Sequence, residues 1–110
     1  MTQHALLMVH RASHSVERLA QLIREKGFEP TVLASRPTGK AGAVDSFEAA
    51  CHKLDLRYCL TGSGEITLAD TFNTLQALPG DYKFALSVWD GHRMVMTQVN
   101  ERLGASDVSP

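Results

Sequence analysis

The sequence has little of what marks several large classes of protein. It holds two cysteines in 110 residues, Cys51 and Cys59, which is too few for a disulfide framework, so we expect free thiols. No apolar run approaches the roughly 20 residues that span a bilayer. The first residues lack the positively charged region of a secretory signal. These absences predict a cytoplasmic protein with no membrane partner.

The sequence also lacks an excess of positive or negative charge. Eleven Lys and Arg residues stand against 12 Asp and Glu residues, which gives a net charge of -1. This balance excludes a broadly basic nucleic-acid-binding surface, so we expect no nucleic-acid partner. Hydrophobic residues make up 44% of the chain, which is typical of a soluble globular domain. We expect one domain over residues 1–104 and a disordered tail at residues 105–110.

Hydrophobic periodicity predicts alternating strands and helices. Residues 5–9 form a continuous apolar run, which favours a central strand covered on both faces. Further strands are predicted at 31–34 and 56–60, because short apolar runs are bounded there by turn residues. Apolar residues at helical spacing predict helices in the segments 16–23, 47–54 and 68–75.

The dipeptide Asp90-Gly91 predicts how the chain ends. Such a pair favours a two-residue β-hairpin, here between strands at 82–89 and 92–99. The predicted order is therefore β-α-β-α-β-α-β-β, a single-domain α/β (α+β) sandwich. Its sheet would be mixed, with a C-terminal antiparallel hairpin. The alternative is a ferredoxin-like sandwich in which residues 41–54 are an inserted helix.

Polar and basic residues follow each of the first three predicted strands. Loops at the carboxyl ends of parallel strands commonly bind ligands, and helix starts there favour anions. We therefore predict a site for an anionic small molecule in these loops. The candidate ligand-binding residues are His10, Arg11, His14, Arg36, Lys40, Thr61 and Ser63.

Motifs for cofactors and metals are incomplete. The segment 62–64 lacks the third spaced glycine of a dinucleotide fingerprint, and the segment 36–40 lacks the upstream glycine of a P-loop. His10 and His14, with Cys51, His52 and Cys59, match no standard zinc spacing. We therefore predict no cofactor and no metal.

Three large side chains share one face of the predicted hairpin: Trp89, Met94 and Met96. Methionine clusters and exposed tryptophan are common where another surface docks. An adjacent strand edge would also offer backbone hydrogen bonds to a partner. We therefore predict that this face is an interface and that the protein is a homodimer.

Three functional hypotheses follow. The first is a small binding or regulatory module, homodimeric, that holds an anionic ligand at the strand-end loops. The alternative is a protein-interaction module, such as an inhibitor, an immunity protein or an adaptor, that docks through the hairpin face. The third is a small enzyme with His10 or His14 as a general base and Cys59 as a nucleophile. We expect a binding protein rather than an enzyme and assign no catalytic residue.

Overall fold

Strands and helices alternate along the chain. The computed structural model describes residues 3–10, 16–36, 42–62, 64–87 and 90–104. Its elements are β1 Gln3–Val9, α1 Val16–Glu25, β2 Glu29–Ala34, α2 Ala43–Lys53, β3 Arg57–Leu60, α3 Leu68–Ala77, β4 Asp81–Ser87 and α4 Arg93–Leu103. None of the helices in the described ranges is long and apolar enough to cross a membrane.

The four strands form one parallel sheet. Their order is β3-β2-β1-β4, so β1 pairs with both β2 and β4. Each connection between parallel strands must cross a face of the sheet, and such crossovers are right-handed. The chain moves first towards β3 and then back past β1 to β4. As a result α1 and α2 cover one face, while α3 and α4 cover the other.

Two hydrophobic cores lie on the two faces of the sheet. The first core joins Ala5, Leu7 and Val9 of β1 to α1 and α2, with Phe47 and Cys51 contributed by α2. The second core joins Leu6 and Met8 of β1 to the side of α3 and α4. Successive side chains of β1 point to opposite faces, and both faces are covered. This explains the continuous apolar run and confirms that β1 is a covered central strand. Both cores share this sheet, so the described residues form one α/β domain.

The predicted C-terminal hairpin is wrong. Asp90–His92 is a single 3-10 turn, and the segment predicted as the last strand belongs to helix α4. The residues of α4 that pack against the second core are Val95, Met96, Val99 and Leu103. Their spacing of three and four residues is helical, and it outweighs the local turn preference of Asp90-Gly91. Within the described ranges the sheet is therefore wholly parallel rather than mixed.

The ferredoxin-like alternative is wrong as well. It treated residues 41–54 as an insertion, but α2 is one of the two helices that cover the first core. Its residues Phe47 and Cys51 are buried there, so the helix cannot be removed without exposing β2 and β3. The predicted tail at residues 105–110 lies outside the described residues.

Candidate functional site

A row of polar residues follows the strands at one edge of the sheet. Since all four strands are parallel, their carboxyl ends meet at this edge. The Ser35 N–H donates to the Val9 carbonyl at 3.0 Å, and the Thr61 N–H donates to the Ala34 carbonyl at 2.9 Å. These bonds extend the ladder by one residue, so His10, Ser35 and Thr61 lie side by side. Neighbouring strands are about 4.8 Å apart, which keeps the row within reach of one small molecule.

The side chains of this row point to the face covered by α3 and α4. The preceding residue on each strand packs in or against the first core on the opposite face: Val9, Ala34 and Leu60. Successive side chains on a strand alternate between faces. Ser87, the last residue of β4, points the same way, because Leu86 packs against the first core. Ser35 and Thr61 are 0% and 4% exposed and His10 is half-buried, so most of this polar row is buried.

His92 closes this row at the β4 end. Its side chain is 1% exposed, and its Nδ1 lies 2.7 Å from the Ser87 hydroxyl in hydrogen-bond contact. Its ring meets the His10 ring edge to face, with centroids 5.9 Å apart. Burial lowers the pKa of His92 below 6.5, and the neighbouring His10 lowers it further, while the Glu65 carboxylate acts in the opposite direction. His10 and Glu65 therefore both act on the pKa of His92 at this edge.

The strand order places the two histidines where open α/β sheets form a ligand-binding crevice. β1 and β4 are neighbours, yet the helices that follow them, α1 and α4, lie on opposite faces of the sheet. In open α/β sheets this reversal leaves a gap at the carboxyl edge, where ligands bind. His10 follows β1, and Ser87 and His92 stand at the end of β4. The polar row therefore leads directly into this crevice.

A cleft of about 200 Å³ lies at the other end of the row. It runs between the edge strand β3 and helix α3, and Thr61 belongs to both the row and the cleft wall. The wall is formed by Leu33, Cys59, Leu60, Thr61, Gly62, Asp70, Asn73, Thr74 and Ala77. The candidate site thus extends along the carboxyl edge from the β1–β4 crevice to the outer side of β3.

The predicted ligand-binding residues fall into two groups. His10 and Thr61 lie in the row at the carboxyl edge, and Arg36 is exposed one residue after Ser35. The other four lie outside the described residues: Arg11, His14, Lys40 and Ser63. The sequence reasoning missed Ser87 and His92, because it assigned both to the hairpin. The helical spacing of residues 95–103 was the signal that would have placed them at a strand end and a helix start.

The predicted interface is not a single surface. Met94 is 76% exposed, whereas Met96 packs against the second core. Residues two apart on a strand share a face, but on a helix they point about 200° apart, at about 100° per residue. Trp89 lies outside the described residues.

Across the described ranges, no three His, Cys, Asp or Glu side chains are grouped so that they could hold a metal ion. Of the two thiols, Cys51 is buried in the first core and Cys59 is half-buried beside the cleft. Comparison with protein-family models, with curated proteins and with solved structures finds no match to this chain.

Proposed function

We propose that this protein is a small-ligand-binding module whose carboxyl edge takes a small anion that also carries hydroxyl or amino groups. The observation that supports this most is the meeting of His10, Ser87 and His92 at the β1–β4 crevice. A buried polar surface that opens into a crevice at a reversal of strand order is a typical ligand site of α/β proteins.

The charges at this edge favour an anion that has further polar groups. The exposed Arg36 follows β2 at this edge, and a guanidinium binds phosphate and carboxylate, while the rings of His10 and His92 offer hydrogen-bonding nitrogens. The helices α1 and α4 follow the two strands of the crevice and begin at the same edge. Glu65, which acts on His92, would accept a hydrogen bond from a hydroxyl or ammonium group of the same ligand.

A thermal-shift screen with phosphorylated metabolites and amino acids tests this function. A ligand should raise the unfolding free energy by about 2.7 kcal/mol at a hundredfold excess over its dissociation constant. His10→Ala should abolish the shift. His52→Ala is the matched control, because His52 is an exposed histidine on α2, a helix of the other face. An absence of shifts throughout the screen, or equal responses from both variants, would contradict the proposal.

The contact between Ser87 and His92 favours a second candidate, an acyl-transfer enzyme. At 2.7 Å, His92 Nδ1 is placed to take the hydroxyl proton while Ser87 Oγ attacks an ester carbonyl. Release of p-nitrophenol from p-nitrophenyl acetate tests this activity. A rate for the wild-type protein no higher than that of Ser87→Ala would exclude it.

We also propose a reducing, cytoplasmic location. Support comes from the two cysteines, which are both free thiols. Secretion of the active protein into an oxidising compartment would contradict this location.

A further inference from the structure

The two edge strands of the sheet, β4 and β3, are protected to different degrees against pairing with another chain. On the β4 side, the amide of Asn100 replaces a neighbouring strand. Its Oδ1 accepts a hydrogen bond from the Ala85 N–H at 2.7 Å, and its Nδ2 donates to the Ala85 carbonyl at 3.1 Å. Exposed charges add to this protection, since Lys83 and Asp81 form an ion pair at 3.3 Å on the same strand. Charged side chains on an edge strand discourage pairing with another chain.

The β3 edge has no such cover within the described ranges. β3 has β2 as its one neighbour, and the Thr61 N–H bonds to β2. Because backbone groups alternate in direction along a strand, Cys59 also faces β2, while Tyr58 and Leu60 turn their N–H and C=O groups outward. All four residues of β3 are half-buried.

The charge on β3 is also turned away from its edge. Arg57 is the one charged residue of this strand, and its guanidinium points into the sheet, where it donates to Thr31 Oγ1 at 2.9 Å. The side chains of the other three residues of β3 are uncharged. An open, uncharged edge is suited to pairing with a second strand.

We infer that a second copy of this chain pairs antiparallel with the outer edge of β3, with the twofold axis at Cys59. In this register Tyr58 of one copy faces Leu60 of the other, so the outward backbone groups of both residues form hydrogen bonds. A shift centred on Tyr58 would require the N–H of Leu56, which already donates to the Cys51 carbonyl at 2.8 Å. The register centred on Cys59 uses only the outward N–H and C=O groups of Tyr58 and Leu60, which both lie within β3.

Side chains on the α2 face of the joined sheet are compatible with this pairing. On the α2 side the register gives two Tyr58–Leu60 pairs, and aromatic–aliphatic pairs across strands are stabilising. Glu48 bonds to the Tyr58 hydroxyl at 2.7 Å, and the His52 ring packs on the Tyr58 ring. Glu48 and His52 are one helical turn apart, so in antiparallel copies of α2 the carboxylate of one faces the imidazole of the other.

The twofold axis gives this dimer a specific chemical signature. The two Cys59 residues would form a non-hydrogen-bonded antiparallel pair, in which Cα atoms are about 4.5 Å apart. That separation falls in the range of about 4.4–6.8 Å that a disulfide bridges. Diamide, which accepts two electrons and two protons, should therefore convert the two thiols into one intermolecular disulfide.

The test combines crosslinking with sedimentation of the full chain. Wild-type protein treated with diamide should give a covalent dimer in which peptide mass spectrometry identifies a Cys59–Cys59 bond, and Cys59→Ser should give none. The matched control is the double variant Cys59→Ser, Lys83→Cys, which moves an exposed thiol to the β4 edge and should stay uncrosslinked. In sedimentation, Cys59→Ser should remain dimeric and Cys59→Lys should become monomeric, because two ammonium groups would meet on the axis.

Three results would overturn the inference. They are a wild-type protein that stays monomeric at millimolar concentration, a dimer with no Cys59–Cys59 bond, and a double variant that crosslinks as readily as the wild type. If circular dichroism shows that Cys59→Lys does not fold, the crosslinking result for the wild-type protein alone decides whether the inference holds. Failure of the dimer leaves the thermal-shift result for the carboxyl edge unaffected.

Discussion

His92 is the residue on which the candidate site depends most. It is buried, it contacts Ser87, and its ring packs against that of His10. A buried imidazole remains neutral more readily than one in water, because burial removes the solvation that favours the charged form. The same residue therefore contributes both to the chemistry of the site and to the pH dependence of stability.

We predict that stability falls as the pH drops through 6.5, and that His92 causes part of this loss. The pKa of His92 is lowered from 6.5 in the folded protein, chiefly by burial. Below 6.5 the unfolded chain binds a proton that folded His92 does not, so the free energy of unfolding decreases by up to about 1.4 kcal/mol per pH unit. Urea unfolding at about pH 5 and about pH 8 measures this. His92→Asn should lose less stability between these pH values than the wild type, and an equal loss would contradict the prediction.

The two thiols should react at very different rates. Burial raises the pKa of Cys51 to about 11, and the Glu48 carboxylate adds to the effect. Thiolate is the reactive form, so Cys51 should resist alkylation at neutral pH. Cys59 is half-buried and borders the cleft. Iodoacetamide followed by peptide mass spectrometry should find Cys59 labelled first, with both sites labelled in denaturant. Equal labelling of the native protein would show that Cys51 is accessible.

At the scale of elements, α4 is where the structure differs most from the sequence prediction. Local sequence favoured a turn and a strand, but the apolar side chains of residues 95–103 recur at helical spacing. The other three helices were predicted correctly, because their stripes are not combined with a strong turn signal. Burial against the second core decided the outcome for α4, since a helix there places Val95 and Val99 on the sheet.

We predict that Asn100 is required to hold α4 on the edge of β4. Asn100→Ala would leave the N–H and C=O of Ala85 buried without their side-chain partner. Such a loss costs about 1–3 kcal/mol for each unsatisfied group, so the free energy of unfolding should fall by at least about 2 kcal/mol. Urea unfolding measures the change. Gln98→Ala, an exposed site on the same helix, should stay within about 0.5 kcal/mol of the wild type. Similar stabilities for the two variants would contradict this role.

At the scale of the whole molecule, one side chain at the amino edge joins all four strands. Arg57 of β3 contacts Thr31 of β2 at 2.9 Å, His4 of β1 at 3.2 Å and the Tyr82 hydroxyl of β4 at 3.2 Å. It also donates to the Pro79 carbonyl at 3.0 Å, in the turn before β4. The amino edge is thus fixed by a structural cluster, and the site that we propose lies at the opposite, carboxyl edge.

We predict that Arg57→Met weakens the entire domain. Hydrogen bonds to charged groups contribute about 1.5–3 kcal/mol each, so the loss should exceed about 2 kcal/mol while unfolding remains a single transition. Circular dichroism and tryptophan fluorescence during urea unfolding check both points. Arg102→Met is the matched control, because its guanidinium lies over the Phe72 ring at 5.2 Å and is otherwise exposed. A change in Arg57→Met no larger than in the control would show that the cluster contributes little.

The sequence by itself determined the alternation of strands and helices as far as β4, the burial of β1 and the polar loops after the strands. These features depend on side-chain spacing along the chain, which each segment carries alone. Only the tertiary structure decided the strand order, the helical state of α4 and the meeting of His10 with Ser87 and His92. Those outcomes depend on contacts between residues far apart in the chain. In α4, for example, burial against the sheet outweighs the preference of a single turn.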